Sequence, residues 1–415
     1  MVIGGGFAGL AATKRLAGHA VEVTLVDQHN FHTFLPLLYQ VATAGLEPAD
    51  VAYPVRTVFG RQRNVTFRHG RVSAVDTEPR RVRLAGGDTL AYDHLVVATG
   101  AAAQFFGTAG ASEHARPLYT LGDARRLRNH LLATLEAADA HPEAFDGGAP
   151  VFVVVGAGPT GVETAGALVE LLDVCIRRDR LRIDPERSRV VLVDGGGQVL
   201  PTFRPVAGRY AADTLAGRGV EIRLDAPVAE VTPDGIRFED GEFLRAAAVV
   251  WAGGVTVDGT LAASLPAGHG RGGRVEVEPD LSISGHPEVF AVGDAAAVPL
   301  APGEPPCPQL AQVAIQSGDH AGSQILRRLA GQGTEAFSYR DKGIMATIGR
   351  RAGVAQLRRG PVVRGTLGWL AWLGLHFVYL IGFRNRLTVL VNWCWRYLDW
   401  PSGPRLIMAD AETEP

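Results

Sequence analysis

Two stretches of this sequence combine a glycine spacing with a downstream acid. Gly4-Gly5-Gly6-Phe7-Ala8-Gly9 is followed by Asp27, and Gly156-Ala157-Gly158-Pro159-Thr160-Gly161 is followed by Asp194. In a Gly-x-Gly-x-x-Gly run the first glycine permits a tight turn and the second lets backbone approach a pyrophosphate. The third lets a helix pack on its strand. A helix beginning there offers unpaired N–H groups and a partial positive charge to phosphates. A carboxylate about 20 residues on can accept the adenosine ribose hydroxyls. Gly4, Gly6, Gly9 and Asp27 meet every condition, as do Gly156, Gly158, Gly161 and Asp194. A carboxylate at Asp194 repels a 2′-phosphate, and Gly195-Gly196-Gly197-Gln198 supplies no arginine, so NADH is favoured over NADPH.

Each motif needs a strand before it and a helix after it, and the surrounding residues supply both. A short strand at residues 1–3 enters the first turn. An Ala- and Leu-rich helix follows, then a strand over 21–26 ending at Asp27. The first strand is brief, which leaves open a longer natural N-terminus. Strand-like runs at 81–84 and 90–98 lead to Ala98-Thr99-Gly100. The second unit repeats this order: a strand over 151–155, the turn, a helix, then a strand over 190–193 ending at Asp194. A helix is expected over 121–138. The chain then returns through Val249-Val250-Trp251-Ala252-Gly253-Gly254 to Val289-Phe290-Ala291-Val292-Gly293-Asp294. Loops at 107–110, 268–273 and 302–308 punctuate the units. Two unequal nucleotide sites on one chain imply two nucleotides close enough to react. FAD with NADH is the natural pair, because hydride passes from nicotinamide C4 to flavin N5.

With 415 residues the chain has room for two or three domains. A hydrophobic content of 47%, a charged content of 20% and 51 glycines describe a globular protein. No charged n-region, apolar h-region and cleavage site opens it, which points away from secretion and toward the cytosol. Cys175, Cys307 and Cys394 are far apart and form neither a disulfide framework nor a redox dithiol. His29, His32 and His376 lack metal-ligand spacing and are read as structural, so no metal is expected. The total charge of −2 hides an asymmetry. Residues 340–405 hold eleven Lys/Arg against Asp341 and Asp399, a net +9 that leaves −11 elsewhere. Five of the six tryptophans lie there too: Trp369, Trp372, Trp393, Trp395 and Trp400. Basic charge beside clustered tryptophan suits an anionic membrane interface. A nucleic-acid surface would set basic residues among polar ones, whereas here they flank apolar runs.

Further segments complete a family resemblance. Phe34-Leu35-Pro36-Leu37-Leu38-Tyr39-Gln40-Val41-Ala42-Thr43, Ala311-Gln312-Val313-Ala314-Ile315-Gln316 and residues 341–350 join the glycine turns, Ala98-Thr99-Gly100 and Ala291-Val292-Gly293-Asp294. With the aromatic C-terminal segment they resemble, end to end, the type II, non-proton-pumping NADH:quinone oxidoreductases. The glycine motifs alone indicate only the two-dinucleotide reductase superfamily; the Ala-Gln-x-x-x-Gln run and the tail carry the specificity.

The resemblance implies an α/β protein with two Rossmann-like dinucleotide-binding domains, the NADH domain inserted in the FAD domain, plus C-terminal amphipathic membrane-binding helices. FAD would occupy roughly 1–115 and 254–335, NADH 116–253, with 336–415 anchoring and dimerising. For FAD it implies Gly4, Gly6, Phe7, Ala8, Gly9, Asp27, Gln28, Val72, Ala98, Thr99, Gly100, Asp294, Ala311, Gln312 and Lys342. For NADH it implies Gly156, Gly158, Pro159, Thr160, Gly161, Glu163, Asp194, Gly253 and Gly254. Asp294 would bind the ribityl chain or pyrophosphate, and a helix from about Gln309 would stabilise anionic reduced flavin. Gln312 and Gln316 are four apart, hence on one helical face. The resemblance makes them hydrogen-bond donors to the quinone carbonyls, while a plain polar helix face is the bland alternative. Glu163 resembles the family's acid between nicotinamide and flavin, able to orient nicotinamide or deliver a proton. Alone, it would serve as a helix-dipole partner.

Residues 366–383 are apolar on nearly all sides, yet eighteen residues is borderline for a bilayer span. Arginines flank the run on both sides, Arg358, Arg359 and Arg364 before and Arg384 and Arg386 after, against the one-sided excess of a spanning helix. Next, Arg384, Thr388, Asn392 and Arg396 share one face opposite Leu387, Val391, Cys394 and Leu398, an interfacial pattern. The expected module is monotopic, on the cytoplasmic face of the membrane, with a homodimer implied by the resemblance and a buried dimerisation helix as the alternative. Two rival functions remain at this level: another pyridine-nucleotide flavin reductase, or a non-catalytic NADH-sensing flavoprotein. Sulfide:quinone oxidoreductases and disulfide reductases need paired cysteines that are lacking here, and a soluble ferredoxin-type reductase would lack the Trp-rich tail.

Overall fold

Runs of β-branched residues buried on both faces build the two main sheets, a pattern that arises where helices cover a parallel sheet on each side. In the computed structural model residues 1–257, 259–300, 304–398 and 405–408 are described. Pro302, Asp399 and Trp400 lie outside the described residues, as do the side chains of Trp395, Arg396 and Leu398. The chain divides into two units. One is Met1–Thr33, Tyr53–Ala102 and Val255–Lys342; the other is Phe34–Ala52, Ala103–Gly254 and Gly343–Pro415.

In the first unit six strands run in the order Ser282–Ile283, His286–Ala291, Leu95–Val97, Val2–Ile3, Val23–Asp27 and Val65–His69. Only the Ser282–Ile283 pair is antiparallel. Val2 sits between Leu25 and Val96, so the glycine turn leaves the sheet at its centre. The helices Phe7–Leu16 and Ala311–Leu329 touch backbone to backbone. A Cβ on Gly318 would overlap the Ala8 carbonyl, and one on Gly322 would lie 2.8 Å from Arg15 Cβ. Glycines four apart on one face permit that approach.

The second unit repeats the design with Arg116–Pro117, Ala248–Trp251, Val151–Val155, Arg189–Val193 and Val220–Arg223, all parallel. Helix Leu121–Ala140 opens on a capping box, Thr120 Oγ1 accepting from Asp123 N and Asp123 accepting from Thr120 N. An antiparallel sheet of Ile344–Gly349, Ala352–Gln356 and Val362–Arg364 lies against helix Pro159–Arg177. It lies so close that a Cβ on Gly166 would overlap the Ile348 carbonyl. Helix Gly365–Tyr379 rests on that sheet through Gly353 and Gly368.

The tail therefore groups differently from the separate 336–415 module expected above. Residues from Gly343 onward, and the Phe34–Ala52 segment expected in the first domain, belong to the second unit. Close glycine packing and buried polar contacts join them to it. Asn385 Nδ2 is directed at the carbonyls of Ala49, Asp50 and Ala52 at 3.3, 3.3 and 2.9 Å, and Asn392 Nδ2 donates to Asp50 Oδ2 at 3.0 Å. Those contacts also alter the reading of helix Phe383–Leu398. Its inward face is Asn385, Val389 and Trp393, while Leu387, Leu390 and Val391 are 50%, 42% and 54% exposed. Polar amides point in and leucines point out. Among the described residues, no helix is long and apolar enough to cross a membrane.

Candidate functional site

The first glycine turn is shaped by close approach. Gly4 adopts φ +102°, and a Cβ there would overlap the Ala98 carbonyl; a Cβ on Gly9 would overlap the Gly4 carbonyl. A Cβ on Gly6, by contrast, would meet nothing within 4 Å. Two glycines are thus required by the protein and one leaves room for a ligand. Asp27 locks the turn: its Oδ2 accepts from Gly5 N at 2.5 Å and its Oδ1 from His29 N at 2.6 Å. Helix Phe7–Leu16 has no side-chain cap at its N-terminus, leaving N–H groups for an anion.

The second turn has the same construction. Gly156 adopts φ +110° with its Cβ position 2.5 Å from the Ala252 carbonyl, and a Cβ on Gly161 would overlap the Gly156 carbonyl. Gly158 faces open space. Asp194 accepts from Ala157 N at 2.6 Å and from Gly196 N at 2.7 Å. Pro159 occupies the first helical position, where its missing N–H costs nothing. Thr160 O accepts from Thr164 Oγ1 at 2.6 Å, and Gly253-Gly254 follows the strand as Thr99-Gly100 does in the first unit. Gly254 O accepts from Gln104 N at 3.0 Å, and Trp251 Nε1 donates to Gln104 O at 2.7 Å.

Other first-unit residues occupy defined places. Gly293 N donates to Ser317 Oγ at 3.0 Å, and Asp294 O accepts from Gln309 Nε2 at 3.1 Å. Phe7 is half-buried, Ala8 is buried beside Gly293, and Gln28 is exposed. Val72 begins an antiparallel strand and pairs with Leu84. Ala311 starts a helix that also lacks a side-chain cap.

The glutamines share a face, as their spacing requires, and their amides bind the chain itself. Gln312 Oε1 accepts from Lys342 N at 3.1 Å. Gln316 Oε1 accepts from Arg340 N at 3.0 Å, while its Nε2 lies 3.0 Å from Arg340 O and 3.1 Å from Gln312 O. The amide of Gln316 is thus engaged on both sides. Partners 24 and 30 residues away could not be read from helical spacing.

Glu163 is a buried acid of the second unit. It is 8% exposed, and its Oε1 accepts from Thr347 N at 3.2 Å and from Trp372 Nε1 at 3.0 Å. Burial pushes its carboxyl up to about 8 despite these two donors. The Trp372 indole stacks on His376 at 4.1 Å and meets Tyr39 edge-on at 6.2 Å. Gln40 continues the packing, donating to Tyr39 Oη at 2.8 Å and accepting from Trp393 Nε1 at 3.1 Å. Nothing in the sequence pairs Trp372 with an acid 209 residues earlier; folding alone reveals it. Cys175 and Cys307 are buried and Cys394 is exposed, all three free, and no metal-binding group occurs among the described residues.

A dinucleotide fits each cradle on the chemistry of these donors. Each offers an open glycine, an uncapped helix start and an oriented carboxylate. The carboxylates already bind backbone N–H groups, and each oxygen keeps a further lone pair for a hydroxyl.

Known proteins resemble this chain over most of its length. Residues 1–318 match the family model of pyridine nucleotide-disulphide oxidoreductases. The type II NADH:quinone oxidoreductase Ndh of Mycobacterium tuberculosis is 39% identical over 97% of this chain and 89% of its own length. Its NdhA counterpart is 40% identical over 95% and 86%. In fold, NDH2 of Plasmodium falciparum in complex with NADH gives a TM-score of 0.86 at 17% identity, covering 98% of this chain and 99% of that one. On this kinship over most of both lengths, the chain belongs to the type II NADH:quinone oxidoreductase family.

Proposed function

We propose that this chain oxidises NADH through FAD and passes two electrons to a membrane quinone, without pumping protons. The observation that carries the proposal is the pair of matched glycine turns, each with one glycine facing open space beside a carboxylate-locked peptide. Bound FAD supplies the two-electron centre that NADH reduces and quinone reoxidises. The chain's own residues bind and orient. Gly4–Gly9, Asp27, Ala98–Gly100 and Asp294 hold FAD, and Gly156–Gly161, Asp194 and Gly253–Gly254 hold NADH. Glu163 keeps a proton on its carboxyl through the neutral range and is the acid assigned to proton supply, since quinone reduction takes up two protons.

Gln312 and Gln316 serve here as positioning residues that hold the Arg340–Lys342 backbone. Gln316→Ala removes the bonds to Arg340 and is expected to slow reoxidation of reduced flavin by quinone about tenfold, the equivalent of about 1.4 kcal/mol. Flavin reduction by NADH should change far less. Single-turnover measurements of both half-reactions decide the matter, and equal losses in the two would remove the assignment. Steady turnover with NADH and a quinone analogue also separates this reading from an NADH-sensing flavoprotein, which would reduce its flavin and stop.

Peripheral membrane attachment accompanies this function. Leu367, Leu370, Leu375 and Val378 on one helix and Leu387, Leu390 and Val391 on the next are exposed beside a basic segment. An outward row of leucines near arginines suits one leaflet of an anionic bilayer. We place this surface on the cytoplasmic face, in a homodimer. Leu390→Glu with Val391→Glu should move the protein from the pellet to the supernatant when anionic vesicles are sedimented. Unchanged pelleting would refute the assignment.

A further inference from the structure

The two glycine turns are built alike except for one contact. In both, the acid at the end of the second strand holds the N–H of the residue between the first two glycines. In the second turn the carbonyl of that residue, Ala157, accepts from the backbone N–H of Leu200 at 2.8 Å. In the first turn the corresponding carbonyl, Gly5 O, meets a side chain: His32 Nδ1, at 2.9 Å. Leu200 lies six residues beyond Asp194 and His32 five beyond Asp27, so each loop returns over its own turn to close the same contact.

His32 has no other evident reason to be a histidine. It is 2% exposed, its ring stands edge-on to Phe7 at 5.0 Å, and its Nε2 is buried without a partner among the described residues. An unpaired buried nitrogen is costly, and a leucine there would avoid that cost. Because a carbonyl oxygen only accepts, the proton must sit on Nδ1. Burial drives the ring down to about 4, so it is neutral near pH 7. In a trans peptide the C=O and the next N–H point in opposite directions. Fixing Gly5 C=O against His32 therefore turns the Gly6 N–H away from the ring, at the glycine whose Cα faces open space.

We infer that His32 is a positioning residue for FAD, holding the Gly5–Gly6 peptide so that the Gly6 N–H is presented to the pyrophosphate. The inference rests on the assignment of FAD to the first turn. His32 need not touch the cofactor; it does with a side chain what Leu200 does with backbone in the second turn.

Two substitutions test it in the full-length protein. His32→Leu keeps the packing and deletes the donor, whereas His32→Asn places an amide N–H near the position of Nδ1. FAD affinity is read by titrating deflavinated protein and following flavin fluorescence, with NAD⁺ affinity measured on the same preparations. His32→Leu should weaken FAD about tenfold, His32→Asn should recover most of that loss, and NAD⁺ binding should be the same in all three chains. Equal FAD affinity in all three chains overturns the inference, as does an asparagine no better than leucine or a parallel loss of NAD⁺ binding. A wild-type chain that takes up no FAD would instead remove the underlying assignment, whatever the variants do.

Discussion

Gly158→Val is expected to leave the protein folded and yellow while slowing flavin reduction by NADH roughly 100-fold, the cost of displacing a reacting group by about an ångström. The expectation comes from the surroundings of each glycine. A Cβ at Gly158 meets nothing within 4 Å, and the residue adopts φ −70°, a backbone valine accepts. The fold loses nothing; the added methyls fill the space assigned to the NADH pyrophosphate. Gly161 is the control, since its Cβ would overlap the Gly156 carbonyl and any side chain breaks the turn itself. Anaerobic stopped-flow reduction at rising NADH checks the prediction together with thermal unfolding. A folded Gly158→Val chain reduced at the wild-type rate would dismiss the second turn as the NADH cradle.

Glu163→Gln should lower quinone turnover roughly 100-fold, the scale of a lost acid–base group, and abolish an alkaline limb near pH 8. Glutamine can still accept from Thr347 N and Trp372 Nε1, so the packing survives and the proton does not. Stability offers an independent reading. The carboxyl ionises at 4.5 in the unfolded chain and about 8 in the folded one, so between those values the folded state binds the extra proton. Its stabilising contribution is complete below pH 4.5 and is lost as pH rises through about 8. Wild type should therefore lose stability relative to Glu163→Gln across that window, at up to about 1.4 kcal/mol per pH unit. Denaturant unfolding of both chains at several pH values would expose a flat difference, which this account does not allow.

Local chemistry was readable from the chain, whereas distant pairing was not. Gly4, Gly9, Gly156 and Gly161 are demanded by contacts within a few residues of sequence or with the adjoining strand, so their spacing carried the turns and the acids with them. Gln312 and Gln316 were correctly set on one helical face, yet their partners Arg340 and Lys342 depend on how a later segment returns. Glu163 could be singled out as an acid just after the second glycine turn, but it lies beyond the first turn of its helix, and its burial under Trp372 comes from a helix some two hundred residues away. The C-terminal pattern sets Arg384, Thr388, Asn392 and Arg396 on one helical face opposite apolar residues. It could not show that Asn385 and Asn392 turn inward to the Ala49–Ala52 backbone and leave Leu387 and Val391 outside. His32 lies at the same limit: it has no metal-ligand spacing, and its contact with Gly5 O exists only once the loop after Asp27 folds back over the turn.

The most direct test mixes the detergent-purified protein anaerobically with one equivalent of NADH, then with a lipid-soluble quinone, while recording the flavin absorbance. The account predicts bleaching on the first addition and full recovery on the second, with one quinol formed per NADH. A chain that stays colourless, or a bleached flavin that quinone leaves reduced, would contradict it.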